Sequence, residues 1–177
     1  SNSGAEAVEC GVKMVRKYHD ETGHPEKYRI ITFEGAFHGR TLAGISAAKK
    51  DKVMKGFEPA VDGFDQVPFG DLEAAKAAIA SETGAILVEP VQGEGGANAA
   101  PEGYMQGVRT AADEYGCLLI ADEVQSGMGR TGHLFAYQAA DIQPDLVVLA
   151  KGLGGGFPVG AVIARRDIGE AMGPGSH

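Results

Sequence analysis

The lysine at position 151 lies where an ammonium group is unexpected. Five apolar residues, 146–150, predict a buried strand that ends at Lys151, and four of the next five residues are glycine. An amine held in a low-dielectric site favours its neutral form, which attacks carbonyl groups and forms a Schiff base. The glycines leave room for a flat cofactor beside it. Taken alone, a lysine that extends its amine into solvent explains the position equally well.

A second candidate group ends another apolar stretch, CLLIADEV. A buried Asp122 carboxylate pairs with a cation such as a protonated pyridine nitrogen. Gln125 is spaced to donate to an oxygen on the same ring, and Val124 offers an apolar contact to the ring face. In isolation, Asp122 is also compatible with a helix cap or a turn.

Two further stretches offer groups for a charged, flat ligand. Ser3 and Glu6 have capping-box spacing, which predicts a helix start whose backbone N–H groups suit a phosphate. In the loop EGAFHGRT, Phe37 suits stacking on a ring, and Arg40 suits bidentate capture of a carboxylate. His38 is predicted to be a structural hydrogen bonder in this loop.

Together these groups form, in chain order, a phosphate cradle, a stacking aromatic, a carboxylate for a ring nitrogen and a Schiff-base lysine. That set matches the requirements of pyridoxal 5′-phosphate (PLP). No metal site is predicted, because Cys10 and Cys117 lie far apart without metal-ligand spacing. Both cysteines are expected to be reduced core residues, as in a cytoplasmic protein.

The elements that must position these groups alternate between strand and helix. This alternation predicts an α/β domain with a mainly parallel sheet. Continuous apolar strands imply a sheet covered on both faces. The predicted strands are residues 28–33, 85–91, 117–124, 145–150 and 159–165, and the predicted helices are residues 3–19, 71–80, 104–115 and 133–141.

The carboxyl ends of parallel strands form the ligand-binding edge of such a sheet. Glu89, Asp122 and Lys151 each end a predicted strand, and the loop 34–41 follows another. We therefore expect four strand ends to meet at one site, with Glu89 ordering the site rather than reacting.

Charge and composition exclude several partners. The 177 residues carry 16 basic and 24 acidic side chains, for a net charge of −8, without a basic stripe suited to nucleic acid. No apolar run approaches the ~18 residues of a membrane span.

Five motifs, SGAEAVE, AFHGRTLAGISA, VEPVQGEGG, ADEVQSGMGRTG and LAKGLGGGFPVGA, together resemble the class III, ornithine-type aminotransferases of PLP fold type I. The resemblance covers essentially all 177 residues and implies a three-layer α/β/α fold. It also implies that residues 1–177 are part of the large PLP-binding domain, without the N-terminal segment and the C-terminal small domain. A complete member is expected to be a homodimer.

The resemblance implies cofactor roles for the matched residues. Lys151 would hold PLP and shuttle protons, Asp122 would pair with the ring nitrogen, and Gln125 would contact the ring hydroxyl. Phe37 and Val124 would sandwich the ring.

It also implies contacts to the phosphate and the substrates. The Gly4 and Ala5 amides, with the Ser3 hydroxyl, would hold the phosphate. Arg40 would bind the α-carboxylate shared by the amino donor and 2-oxoglutarate. Glu94 would pair with a mobile arginine, so that one pocket accepts both substrates.

Within the family, AFHGRTLAGISA and GFEPAVDGFDQVPFGD are most similar to members that act on N-acetylornithine. Ornithine, succinylornithine and 4-aminobutyrate remain alternative donors. Two alternatives from other classes are a catalytically silent fragment and a nucleotide-binding α/β domain. Against the latter, no G-x-G-x-x-G follows the first predicted strand, and no GK[ST] phosphate loop occurs.

Overall fold

A six-stranded sheet forms the centre of the structure, a computed structural model that describes residues 1–176. Its strands lie in the order β2-β1-β3-β6-β7-β8, and only the β7–β8 pair is antiparallel. Two further strands, β4 and β5, form a small antiparallel hairpin. The strands are β1 (Arg29–Phe33), β2 (Phe64–Val67), β3 (Thr83–Val88), β4 (Val91–Gln92), β5 (Asn98–Ala99), β6 (Leu118–Asp122), β7 (Leu146–Leu149) and β8 (Ala161–Ala164).

Helices cover both faces of this sheet and complete three α/β/α layers. They are α1 (Gly4–Glu21), α2 (Leu42–Ala48), α3 (Asp51–Met54), α4 (Leu72–Ala77), α5 (Tyr104–Tyr115) and α6 (Arg166–Glu170), with 3₁₀ helices at Ala136–Ala140 and Lys151–Gly154. The prediction of an α/β domain with a mainly parallel sheet is confirmed.

Alternate residues of each central strand enter different halves of the core. Ile30 of β1 packs in the cluster that contains Val15 of α1. Its neighbour Ile31 packs in the cluster that contains Val108 of α5. Because both faces are buried, the strands are apolar throughout instead of alternating.

All five strands predicted from sequence are present, but several shorter elements were not predicted. Strand β2, FDQV, lies at the sheet edge with two half-buried central residues, so its pattern is mixed. Helices α2, α3 and α6 have only four to seven residues each and give little periodic signal. The helix predicted over 133–141 is a 3₁₀ helix over Ala136–Ala140 only.

Strands β1, β3, β6 and β7 are consecutive neighbours and parallel, so their carboxyl ends meet at one edge of the sheet. This arrangement confirms the expected convergence of four strand ends. The loops after these strands carry the residues singled out from sequence.

At the opposite side of the sheet, where the parallel strands begin, Asp145 links neighbouring strands. Its buried carboxylate accepts a hydrogen bond from the Leu119 N–H at 2.8 Å and pairs with Arg109 at 2.7 Å and with Arg165. This network links β6, β7 and α5 away from the carboxyl edge.

Within the described part of the chain, no helix has the length and apolar character needed to cross a membrane. The same residues contain no group of three or more His, Cys, Asp or Glu side chains suited to a metal ion. Cys10 and Cys117 are free thiols, the first half-buried and the second buried.

Gly84 lies where β3 passes close to neighbouring backbone. A Cβ there would overlap the Lys27 carbonyl oxygen and lie 3.0 Å from Cδ2 of His19. We expect Gly84→Ala to lower the free energy of unfolding by about 1–3 kcal/mol, because the buried strand must shift. Urea unfolding followed by circular dichroism measures this change.

Gly169→Ala in α6 is the control, because nothing lies within 4 Å of its added Cβ. It should leave stability unchanged or raise it by up to about 1 kcal/mol. Equal losses in both variants would contradict the packing argument.

Candidate active site

A cavity of about 410 Å³ opens at the carboxyl edge of the sheet. It is lined by all ten residues predicted to form the site: Ser3, Gly4, Ala5, Phe37, Arg40, Glu94, Asp122, Val124, Gln125 and Lys151. Asn2, Val8, Gly39, Ala150 and the stretch 157–159 also line it and were not predicted from the sequence. The stretch 157–159 directly follows the glycine-rich segment, which was the available signal.

Asp122, at the end of β6, is 2% exposed and held from two sides. Its Oδ2 lies 2.8 Å from Nδ1 of His38, and its Oδ1 accepts the Val124 N–H at 3.1 Å. A carboxylate only accepts hydrogen bonds, so in the ionised form of Asp122 the donor of this pair is Nδ1–H of His38. His38 is 1% exposed, and its Nε2 has no partner within residues 1–176. The prediction of a structural hydrogen bonder fits this geometry, but its partner was not foreseen.

Glu89 follows β3 and is 5% exposed. Burial raises its pKa to about 7, the nearby Asp122 carboxylate adds to the rise, and His38 opposes it. Its Oε2 accepts the Phe37 N–H at 3.0 Å. Glu89 thus fixes the backbone of the loop that carries Phe37 and His38, in line with the ordering role predicted for it.

Helix α1 presents its N-terminus to the cavity. Ser3 caps the helix: its Oγ accepts the Glu6 N–H at 3.2 Å, and its carbonyl accepts the Ala7 N–H at 3.0 Å. Among the described residues, the amides of Gly4 and Ala5 have no hydrogen-bond partner, and an 18-residue helix adds its positive end there. The Ser3 hydroxyl already donates to the Glu6 carboxylate at 3.1 Å, so the two amides are the better anion donors.

Phe37 is half-buried, and the guanidinium of Arg40 lies 5.4 Å from the centre of its ring. This distance is within the range of a cation–π contact. Arg40 and Glu94 are both exposed on the open side of the cavity. They are therefore accessible to a substrate.

Lys151 begins the 3₁₀ helix that follows β7, and its Nζ donates to Oε1 of Gln125. Its φ of 45° lies in the left-handed region, a strained conformation that clusters at functional sites. The side chain is exposed, so the described residues do not supply the low-dielectric surroundings expected from sequence. A ligand in the cavity would have to provide that desolvation.

These features fit PLP at its phosphate, its ring nitrogen and its aldehyde. The free amides of α1 suit the phosphate, the buried Asp122 suits the pyridine nitrogen, and the Lys151 amine suits the aldehyde. Gly4 allows the close approach of α1 to β6, because a Cβ there would lie 2.9 Å from Cγ1 of Val124.

The nucleotide-binding alternative gains no support from the structure. Residues 127–132, GMGRTG, do match the G-x-G-x-x-G spacing. They follow β6 as a run of turns, with Gly129 and Gly132 at positive φ, and lead to a 3₁₀ helix. The spacing therefore lacks the helix N-terminus that binds a pyrophosphate.

The structure is therefore an α/β domain with a cavity that is lined by Lys151 and the buried Asp122. The family model described as aminotransferase class-III matches residues 1–177. The chain is 57% identical over 177 residues to acetylornithine aminotransferase from Agrobacterium fabrum, and it covers 44% of that relative's length.

Two structures of ornithine aminotransferase from Toxoplasma gondii match with a TM-score of 0.96 and 34% identity. Each match covers 100% of this chain and 43% of the other. One of them is described as having partial occupancy of PLP at its active site. The chain belongs to the class III aminotransferase family, whose members depend on PLP. It spans less than half the length of the curated relatives that it matches.

The raised pKa of Glu89 makes stability depend on pH. An unfolded glutamate titrates near 4.5 and the folded one near 7, so the folded state keeps a proton that the unfolded state has released. The resulting stabilisation is full below pH 4.5 and is lost as pH rises through 7, by up to about 3 kcal/mol. Glu89→Gln keeps an acceptor for the Phe37 N–H but has no carboxyl group to titrate. It should therefore remove the loss of stability at high pH.

We therefore compare the free energy of unfolding of Glu89→Gln with that of the parent protein. The variant should be more favoured over the parent at pH 8 than at pH 5, as measured by urea unfolding at both values. Glu94→Gln, an exposed glutamate of the next loop, should show no such difference. Parallel pH profiles of the parent and Glu89→Gln would contradict the assignment.

Proposed function

We propose that the complete protein is a PLP-dependent aminotransferase that moves the terminal amino group of N-acetylornithine to 2-oxoglutarate. The products are the corresponding semialdehyde and glutamate, which places the reaction in arginine biosynthesis. The observation that carries the proposal is one cavity that joins the Lys151 amine to the buried, His38-held Asp122. The name of the relative at 57% identity supports the choice of donor.

When bound, PLP supplies an aldehyde and an electron-withdrawing ring that stabilises negative charge on the carbon bearing the amine. Asp122 keeps the ring nitrogen protonated, because its carboxylate is buried and fixed by His38 and the Val124 N–H. Phe37 and Val124 would hold the two ring faces, and the Gln125 side-chain amide would donate to the ring hydroxyl.

The N-terminus of α1 would hold the phosphate. The Gly4 and Ala5 amides would donate to it, and the helix dipole would add a favourable charge interaction. The Ser3 hydroxyl contributes only if it gives up its bond to Glu6.

Lys151 is the group that moves protons. Its Nζ, when neutral, would take the proton from the donor carbon that bears the amino group and deliver it to the former aldehyde carbon of the cofactor. Its position beside Gln125 places this amine at the cavity wall.

Arg40 would bind a carboxylate of the amino donor and, in the second half of the reaction, a carboxylate of 2-oxoglutarate. Glu94, on the exposed turn between β4 and β5, would pair with a mobile arginine of the complete protein. One pocket then accepts two substrates in alternation.

The complete protein is further proposed to be a cytoplasmic homodimer that binds neither nucleic acid nor membranes. Phe157 supports an interface beside the site, because it lines the cavity yet is 72% exposed. The net charge of −8 disfavours binding to nucleic acid.

Reductive trapping tests the cofactor and its lysine together. We expect the complete protein, incubated with PLP and reduced with borohydride, to carry the label on Lys151 only, as mapped by peptide mass. Lys151→Ala should carry no label. Its kcat should fall at least about a thousandfold, because the substitution removes both the nucleophile and the base.

Scattered labelling that survives Lys151→Ala in the complete protein would refute the aminotransferase proposal. Scattered labelling only in the 177-residue chain would instead show that this piece lacks a formed site. That second result is what the silent-fragment alternative predicts.

The donor is tested by comparing kcat/KM for N-acetylornithine, ornithine, succinylornithine and 4-aminobutyrate, each with 2-oxoglutarate. We expect N-acetylornithine to give the largest value. The structural similarity to ornithine aminotransferase makes ornithine the second candidate. A larger kcat/KM for ornithine would show that ornithine is the donor and would leave the proposed aminotransferase reaction in place.

A further inference from the structure

Glu123 is a buried carboxylate that the proposed reaction does not use. It directly follows Asp122 and is 1% exposed, yet it is not among the residues that line the cavity. Burial of a charged carboxylate is costly unless hydrogen bonds compensate it. The hydrogen bonds of the Glu123 carboxylate therefore indicate which neighbouring residues it positions.

The first bond closes the four-residue turn 123–126, here called the clasp, which carries two cavity residues. The hydroxyl of Ser126, itself 2% exposed, donates to Oε2 of Glu123 at 2.6 Å. Val124 and Gln125 lie between these two residues and line the cavity. The Gly127 N–H also donates to the Glu123 carbonyl at 2.8 Å, which tightens the same turn.

The second bond reaches the other end of the following loop. The Tyr137 N–H, at the start of the 3₁₀ helix Ala136–Ala140, donates to Oε1 of Glu123 at 2.8 Å. The exposed segment 128–134 is thus closed at both ends by one carboxylate.

The backbone of Glu123 completes a link to the lysine. Its N–H donates to the Val148 carbonyl at 2.9 Å, in the strand that leads to Lys151. Gln125, inside the clasp, accepts from Nζ of Lys151. The turn that carries Gln125 and the strand that carries Lys151 are therefore fixed to each other through Glu123.

We propose that Glu123 is a positioning residue for the cofactor site: its carboxylate, bonded to Ser126 and Tyr137, sets where Val124 and Gln125 stand relative to Lys151. This inference rests on the proposed function. Glu123 acts through these neighbours and touches neither cofactor nor substrate.

The test compares PLP binding among variants of the complete protein. Dissociation constants are measured by equilibrium dialysis with PLP, and the absorption maximum of bound PLP is recorded. Thermal unfolding by circular dichroism ensures that every variant is compared while folded. These readouts do not depend on turnover.

Glu123→Ala removes both bonds and should weaken PLP binding at least tenfold and shift the absorption maximum. Glu123→Gln is nearly isosteric, accepts from Tyr137 and donates to Ser126, so it should stay within threefold of the parent. Ser126→Ala opens only the clasp and should weaken binding threefold to tenfold. Ser126→Ala also tests the proposal if Glu123→Ala does not fold.

Asp145→Asn is the matched control, because Asp145 is another buried, multiply bonded carboxylate but lies at the opposite edge of the sheet. It should lower thermal stability without changing PLP affinity. If Glu123→Ala and Ser126→Ala also lose only stability, Glu123 is merely structural and the inference is overturned.

Failure of the proposed function gives a different pattern. A parent protein that does not trap PLP on Lys151 refutes both the function and the positioning role. Normal trapping in the parent, with unchanged affinity in the clasp variants, refutes the positioning role alone.

Discussion

The pairing of Asp122 with His38 is the interaction on which the site depends. It joins the end of β6 to the loop after β1 through two side chains that are almost fully buried. The loop is held a second time, at Phe37, by Glu89 from the end of β3. Three strands of the sheet therefore contribute to the orientation of one carboxylate, and the loop after β1 is fixed to the ends of β3 and β6.

This arrangement concentrates acidic groups at the carboxyl edge. Glu89, Asp122 and Glu123 are all buried, and each has at least one N–H or O–H donor directed at it. The edge is suited to a cationic ring nitrogen, whereas the N-terminus of α1 offers a positive potential for an anion. A single ligand with opposite charges at its two ends matches both regions of the cavity.

Much of this organisation was predictable because it depends on local patterns. Apolar runs ending in Glu89, Asp122 and Lys151 identified three strands and their chemical ends, and Ser3 with Glu6 identified the start of α1. The pairing of His38 with Asp122 was not predictable, since 84 residues separate them and no local spacing reports a long-range hydrogen bond. The exposure of Lys151 also escaped prediction, because solvent access depends on what fills the space beside the strand end.

The contact among Gly4, Val124 and Ala150 has a consequence for evolution of the site. A Cβ at position 4 would lie 2.9 Å from Val124 and 3.3 Å from Ala150, so the start of α1, the turn after β6 and the residue before the lysine share one packed volume. A larger side chain at any of the three must be matched by a smaller one at another. New substrate preferences are therefore more easily acquired at the exposed rim of the cavity, where Glu94 can change without disturbing this packing.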